Sequence, residues 1–421
     1  IEINALILNR PITQVMNILF LTMDKITTIE ERRIYPDLMR KLRDEGHEVY
    51  IVCPVERRER KKTSLCHKEG VHLLNVRTLN VQKTNIIEKG LGQVTLEYLF
   101  KRAIVKYLKN VSIDLILYST PPITILGVVK MMKKRYSKAL TYLMLKDIFP
   151  QNAVDLGMLT KTGIKGLLYK YFRNQERNLY QISDVIGCMS PANVHYVREH
   201  NPEINPRKVE ICPNSIELRL EDSEFVSEKD RKNLLEHYNL PIDKPIVIYG
   251  GNLGIPQGIS FLIECFDANK DRGDCHFLVL GNGTEFKRLS AWVKEKQPKN
   301  MSLFSRLPKA DYDRLVQVSQ IGLIALDYRF TIPNYPSREL DYMKYCIPML
   351  VVTDPNCDTG IIAQENGFGV WCPSNNVEAF TATLNDLLKK DLKAMGKNAF
   401  LFLKDNYLVE NTYEVIMNHL K

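Results

Sequence analysis

The chain has 421 residues, 45% of them hydrophobic and 25% charged, and a formal net charge of +9. That is an ordinary globular composition with length for two or three domains, which excludes a fibrous or disordered chain. No continuous apolar run reaches the roughly 18 residues of a membrane-spanning helix, and no basic leader followed by an apolar core opens the chain.

Residues 1–15 read as an upstream or expression-derived extension, because Met16-Asn17-Ile18-Leu19-Phe20-Leu21 enters a buried strand directly. From there apolar runs alternate with amphipathic segments. Strands are predicted at 17–22, 48–53, 71–76, 114–120, 140–145, 184–189 and 209–213, with helices at 33–45, 95–109, 124–135 and 165–181. The polar stretch 213–244, with Glu217, Glu221, Asp222, Glu224 and Glu228, reads as a linker. A second set of strands follows at 245–250, 276–280, 301–304, 322–326, 349–352 and 369–372. Short, continuously apolar strands alternating with helices mark parallel sheets covered on both faces. The expected fold class is therefore α/β, with two doubly wound Rossmann-like domains facing a cleft. The domains are placed at 16–212 and 213–404, with a C-terminal helix at 405–421 that can pack back on the first.

Charge is unevenly placed. Residues 16–210 hold 33 Lys+Arg against 20 Asp+Glu, a net of +13, and residues 211–421 hold 24 against 28, a net of −4. A basic first half calls for an anionic partner: lipid, phosphorylated substrate or nucleic acid. No nucleic-acid recognition motif accompanies the charge, so nucleic acid is not expected. The segment Ile164–Arg173 mixes apolar, aromatic and basic residues at helical spacing. It reads as an interfacial patch for anionic lipid, or as a core helix with a solvated basic face. The nine cysteines form no CxxC pair and no Cys/His cluster. They read as reduced core residues, and no metal site is expected.

Ligands of such sheets bind beyond the carboxyl ends of the strands. Gly250-Gly251-Asn252-Leu253-Gly254 and Gly281-Asn282-Gly283 follow the first two strands of the second set. Glycines there permit a close backbone approach or simply a tight turn. Neither loop is a GxGxxG fingerprint, and no Walker motif occurs, so a dinucleotide enzyme and a P-loop NTPase are not expected. Arg306, after the strand at 301–304, is a candidate for the base or phosphates of a nucleotide. The stretch Pro333–Pro348 predicts a helix beginning at Pro336-Ser337 with Arg338 and Asp341 in its first turns. Free N–H groups and a guanidinium suit a diphosphate, and Asp341 suits sugar hydroxyls. This is the layout of a nucleotide-sugar site.

On the other half, Asp147 ends a strand and suits an acceptor hydroxyl, either as base or as anchor. Glu30 and Glu31, after the first strand, are a further acceptor contact. His47 reads as a turn residue.

Several segments together resemble glycosyltransferase family 4, and within it the capsule and O-antigen branch that includes N-acetylfucosaminyl transferases. Leu42–Val49 is similar to an L-x-x-x-G-H-E-V turn, and Asp147–Asn152 to D-L-W-P-E-S. Glu176–Ser190 resembles E-x-x-x-Y…A-D…S, and Cys212–Ile216 resembles I-P-N-G-V. Gly250–Gly258 is similar to G-G-N-L-G-x-x-Q-G, and Pro336–Met343 to P-S-K-x-x-E-Y-M. The resemblance implies a GT-B fold and a retaining enzyme that uses a nucleoside-diphosphate sugar, UDP-linked by preference. It also implies a polyprenyl-diphosphate-linked acceptor and no metal or other cofactor. The location implied is the inner face of a bacterial cell membrane, with the basic first half against anionic lipid. Asn252 and Gln257 stand where many members carry Arg and Lys, and Asp341 and Pro333 stand where many carry a pair of glutamates. The implied diphosphate contacts therefore move to Arg338 and backbone N–H groups, with Ser337, Gly250, Gly251, Gly281 and Gly283 around them. A nucleotide-sugar 2-epimerase or a non-catalytic subunit of a polysaccharide assembly would share this fold and pocket.

Overall fold

The computed structural model describes residues 14–80, 86–219 and 226–420, and of residues 86–94 the backbone only. Residues 1–13 of the expected extension lie outside this range, as do Glu221, Asp222 and Glu224 of the linker and Lys421.

The first sheet contains β1 (Asn17–Leu21), β2 (Glu48–Glu56), β3 (Ser64–Lys68), β4 (Val71–Thr78), β5 (Leu115–Thr120), β6 (Leu140–Leu145), β7 (Val185–Cys188) and β8 (Val209–Ile211). Their order is β3-β4-β2-β1-β5-β6-β7-β8. β1 pairs in parallel with β2 and β5, and β2 with β4. Ile18, Leu19, Phe20 and Leu21 are all fully buried, as a strand covered on both faces requires. The helices are α1 (Ile34–Asp44), α2 (Ile86–Tyr107), α3 (Leu126–Arg135), α4 (Gln151–Asp155), α5 (Gly163–Ile182) and α6 (Pro191–His200).

β3 is absent from the predicted strands. It runs antiparallel to β4 at the sheet edge, and most of it is exposed, so it has no apolar run to betray it. The turn rests on Glu69 (φ 53°) and Gly70 (φ 75°), the left-handed pair that suits a two-residue hairpin.

The second sheet holds β9 (Ile246–Asn252), β10 (His276–Asn282), β11 (Met301–Phe304), β12 (Ile321–Ala325), β13 (Met349–Thr353) and β14 (Gly369–Pro373), in the order β11-β10-β9-β12-β13-β14. All its registered pairs are parallel. Around it lie α7 (Glu228–His237), α8 (Ile259–Ala268), α9 (Phe286–Lys296), α10 (Lys309–Gln317), α11 (Glu339–Lys344), α12 (Thr359–Glu365), α13 (Val377–Leu387), α14 (Leu392–Asn406) and α15 (Val409–Met417). Phe266, Phe277 and Phe380 are buried in its core, with ring centroids 5.0 and 6.5 Å apart in sequence order. Each such ring contributes roughly 1.5–3 kcal/mol by burial. α7 lies inside the stretch read as a linker. Ser227 caps it, accepting from the Asp230 N–H at 3.1 Å, and Leu235 is its one buried residue.

The expected fold class, two Rossmann-like α/β domains built on parallel sheets, is the one found. The chain separates into two compact units: residues 1–144, 178–186 and 416–421, and residues 145–177 and 187–415. The sequence drew its boundary at 212/213, whereas residues 145–177 and 187–212 group with the second unit. Hydrogen bonds inside that unit account for this. Asp155 accepts from the Thr331 N–H at 2.8 Å, Asp358 accepts from the Ala192 N–H at 2.9 Å, and Asn193 donates to the Pro333 carbonyl. Residues 416–421 group with the first unit, where the His419 ring meets Tyr142 at 6.1 Å.

Candidate functional site

The site grows from the carboxyl ends of β9 and β10. The two glycine loops are not merely near one another; they are in register, Gly281 facing Gly251 and Asn282 facing Asn252. The Leu253 N–H donates to the Asn282 carbonyl at 3.0 Å, and the Glu285 N–H donates to the Leu253 carbonyl at 2.9 Å. Three glycines owe their identity to this packing. A Cβ on Gly281 would overlap the Gly251 carbonyl, one on Gly283 the Leu253 carbonyl, and one on Gly250 the Tyr312 ring. The sequence offered these positions as places for a ligand to approach, but protein atoms already fill those spaces. Gly251 differs. Its φ is +133°, it is exposed, and the Arg338 guanidinium lies 3.5 Å from where its Cβ would be.

Arg338 is placed by aromatic packing. Its guanidinium lies 4.4 Å from the centroid of the Tyr249 ring, a cation–π contact. Tyr342, one turn further along, is fully buried against β12, where Gly322 leaves room for its ring. Its hydroxyl accepts from the Gly250 N–H at 3.3 Å and reaches the Ile248 carbonyl at 3.1 Å. The Nη1 atom of Arg338 is buried with no hydrogen-bond partner. Buried donors are nearly always paired, so this nitrogen is an exception among the polar groups around it. The next residue in the chain is Glu339, which is also buried. Burial holds that carboxyl well above the usual range, against the effect of a bond from Tyr335.

The expected helix start moves. α11 begins at Glu339 and has six residues, with Arg338 at its N-cap. So short a helix has little macrodipole. Ser337 is already engaged, accepting from Asn214 Nδ2 at 2.6 Å. Asp341 is half-buried on α11. Burial raises the pKa of the Tyr312 hydroxyl, and Tyr342 and Asp341 add to the rise, which puts Asp341 near the Tyr312 wall of the site.

These ends border an open cavity of about 450 Å³. Gly251, Asn252, Gly281 and Arg306 line it, as the sequence reading expected, and Phe304 and Tyr312 supply aromatic walls. Lys309 adds a cation that the sequence reading missed; its Nζ is 2.9 Å from Asp313. Gly250, Gly283, Gln257, Ser337, Arg338 and Asp341 are not among the lining residues. Gln257 instead braces the loop, accepting from Asn252 Nδ2 at 2.9 Å and from the Gly254 N–H at 3.1 Å. Phe304, Lys309 and Tyr312 carry no local motif. The available signal is Gly250, whose absent side chain is the space that Tyr312 fills.

Asp147 follows β6 of the first sheet and groups with residues 145–177 of the second unit. Its Oδ1 accepts from Asn152 Nδ2 at 2.9 Å, and burial pushes its pKa up to about 6. Beside it, burial pulls Lys146 down to about 8, and the lysine donates to the Cys212 carbonyl at 3.2 Å. Glu30 is exposed in the first unit and pairs with Arg43 at 3.3 Å. His47 accepts from the Met16 N–H at 3.3 Å in its turn. Among the described residues, no group of three His, Cys, Asp or Glu is arranged to hold a metal ion, and no helix is long and apolar enough to cross a membrane.

Residues 33–220 match the model of Glycosyltransferase Family 4, and residues 230–402 match that of Glycosyl transferases group 1. The chain belongs to the glycosyltransferases. It is 23% identical over 77% of its length to 78% of a probable glycosyltransferase, WbjE, of Pseudomonas aeruginosa. It is 25% identical over 60% of its length to 61% of a putative colanic acid biosynthesis glycosyl transferase, WcaI, of Escherichia coli K12. Its fold is similar to sucrose-phosphate synthase from Thermosynechococcus elongatus, with a TM-score of 0.72 at 13% identity over 96% of this chain and 98% of that one. It is also similar to Anabaena HepE in complex with UDP, with a TM-score of 0.64 at 13% identity over 96% and 99%. This glycosyltransferase therefore has the GT-B fold, and its cavity lies in the group 1 half.

Proposed function

We propose that this glycosyltransferase is a retaining enzyme of the capsule and O-antigen type. It moves a sugar from a nucleoside diphosphate, UDP by preference, to a polyprenyl-diphosphate-linked saccharide at an anionic membrane surface. An N-acetylated deoxy sugar fits the N-acetylfucosaminyl-transferase-like branch. The observation that carries the donor half is the buried, unpartnered Nη1 of Arg338 behind Gly251, next to a 450 Å³ cavity with aromatic and cationic walls. WcaI, whose name places it in colanic acid biosynthesis, supports a polysaccharide product, and the HepE complex supports UDP.

In this mechanism the base lies against Phe304 and Arg306 and the diphosphate faces Gly251 and Arg338. Asp341 takes the ribose. The acceptor oxygen bonds to the anomeric carbon on the face from which the diphosphate leaves. The bond from that carbon to the phosphate oxygen breaks, and Arg338 stabilises the charge left on the phosphate. The acceptor proton passes to Asp147 or to the departing phosphate. Water is kept out as the donor is covered.

A thermal-shift series with UDP, GDP, ADP and their sugars, with and without EDTA, tests the donor. A rise selective for one nucleotide and unchanged by EDTA is expected. No rise with any of them would sink the donor assignment.

Asp147 makes a separate prediction. A carboxylate accepts a proton only when ionised, and burial has raised this one to about 6. Turnover is therefore expected to rise with pH through about 6 and to level off above it. Asp147→Asn should lower turnover by roughly 10²-fold or more and abolish that limb. An unchanged limb in the variant would assign it to another group.

A further inference from the structure

α5 is held on one side and open on the other. Its inner side is tied to the second unit. Phe172 meets Phe149 edge-on at 5.0 Å, and Arg173 bonds Glu176 at 2.6 Å and Asn201 Oδ1 at 2.7 Å. Gly166 lets the loop before the helix lie close, since a Cβ there would come within 2.8 Å of the Lys161 carbonyl oxygen. The outer side is apolar. Ile164, Leu167, Leu168 and Tyr171 are 89, 69, 45 and 54% exposed, and Met158 just before them is 52% exposed.

Single exposed apolar residues are common on protein surfaces. These four are at i, i+3, i+4 and i+7, so they share one stripe of one helix. The stripe also has a charge pattern. No Asp or Glu occurs between Asp155 and Glu176, whereas Lys161, Lys165 and Lys170 are all exposed. Lys161 lies 5.8 Å from the Tyr169 ring centroid, at the margin of the stripe.

We infer that the first two turns of α5, with Met158 and the three lysines, dock on an anionic lipid surface. Apolar side chains enter the headgroup boundary while the lysines are drawn to the anionic headgroups. A second copy of the chain suits the stripe less well, because two-fold pairing would bring three lysines against their own images. The inference deepens the proposed function by naming the lipid-facing surface of an enzyme with a lipid-linked acceptor, and for the choice of a membrane it rests on that reading.

The test is co-sedimentation of the full chain with vesicles of phosphatidylcholine alone and of equimolar phosphatidylcholine and phosphatidylglycerol, with no acceptor present. Binding to the mixed vesicles is expected, falling with added salt. Ile164→Glu with Leu167→Glu should weaken it by at least about tenfold. Lys165→Gln with Lys170→Gln, which leaves the apolar stripe intact, should weaken it by a smaller factor. The thermal shift with UDP is read in parallel and should be the same in all variants. Absent binding by the wild type, or unchanged binding in both double variants, would overturn the inference. So would a lipid-free oligomer that the Ile164/Leu167 variant dissolves, since the occupant would then be a second copy. A wild type that binds vesicles but no nucleotide would sink the donor assignment and leave the surface standing.

Discussion

Replacing Arg338 by glutamine is expected to lower kcat/KM by about 10²–10³-fold, or roughly 3–4 kcal/mol of transition-state stabilisation. The size follows from position. The guanidinium is stacked on Tyr249, its Nη1 is buried without a partner, and Gly251 opposite has no side chain. A cation so placed costs desolvation in the free enzyme and recovers it when a phosphate arrives. Glutamine keeps much of the length and can still donate, but it brings no charge. Lysine should recover only part of the loss, because a point charge cannot form the two-pronged contact. Two measurements separate this from a merely structural role: the melting temperature without ligand, and the thermal shift produced by UDP. The first should change little and the second should collapse. Turnover within about threefold of wild type would remove Arg338 from the phosphate site. Arg338→Glu should be worse than glutamine, since it adds a carboxylate to a helix that already carries Asp341.

Gly281→Ala is expected to lower both stability and nucleotide binding. The new methyl would overlap the Gly251 carbonyl and come within 3.4 Å of the Leu253 Cγ. The first obstacle is backbone in a registered pair of parallel strands, so it cannot swing aside. The ends of β9 and β10 would have to part, at a cost of about 1–3 kcal/mol. Because these ends are the floor of the cavity, the UDP-induced shift should vanish as well. Gly46→Ala is the control. Gly46 has φ +89° but nothing within 4 Å of its Cβ position, so it should show only the strain of a left-handed residue, about 1 kcal/mol, and normal nucleotide binding. Urea unfolding and UDP binding of the two variants would decide the matter. A Gly281→Ala protein that binds UDP like the wild type would mean that the register of these strands does not shape the site.

Much of the fold was legible because buried parallel strands are written as short apolar runs. Among the described residues, thirteen of the fourteen strands fall on such runs, and the missing one, β3, is an exposed edge strand. α7 was missed for the matching reason, since a mostly solvated helix with one buried leucine shows little periodicity. The site was legible in part. Gly251, Asn252, Gly281 and Arg306 were found because strand-end loops announce themselves through glycine and position. Tyr312, Phe304 and Lys309 were not, because nothing near them in the chain says which strand end they will face.

The chain by itself determined two layered α/β repeats, a basic first half, and a strand-end cluster of glycines with Arg338 following. Those features depend on local periodicity and composition, which a linear sequence carries in full. Tertiary structure decided the rest. It tied residues 145–177 and 187–212 to the second unit, because the bonds that hold them there link positions far apart in the chain. It gave Gly250, Gly281 and Gly283 to packing, because only the folded backbone shows whose atoms occupy the missing side chains. It left one nitrogen of Arg338 without a partner, and a hydrogen bond not made is a property of three-dimensional surroundings alone.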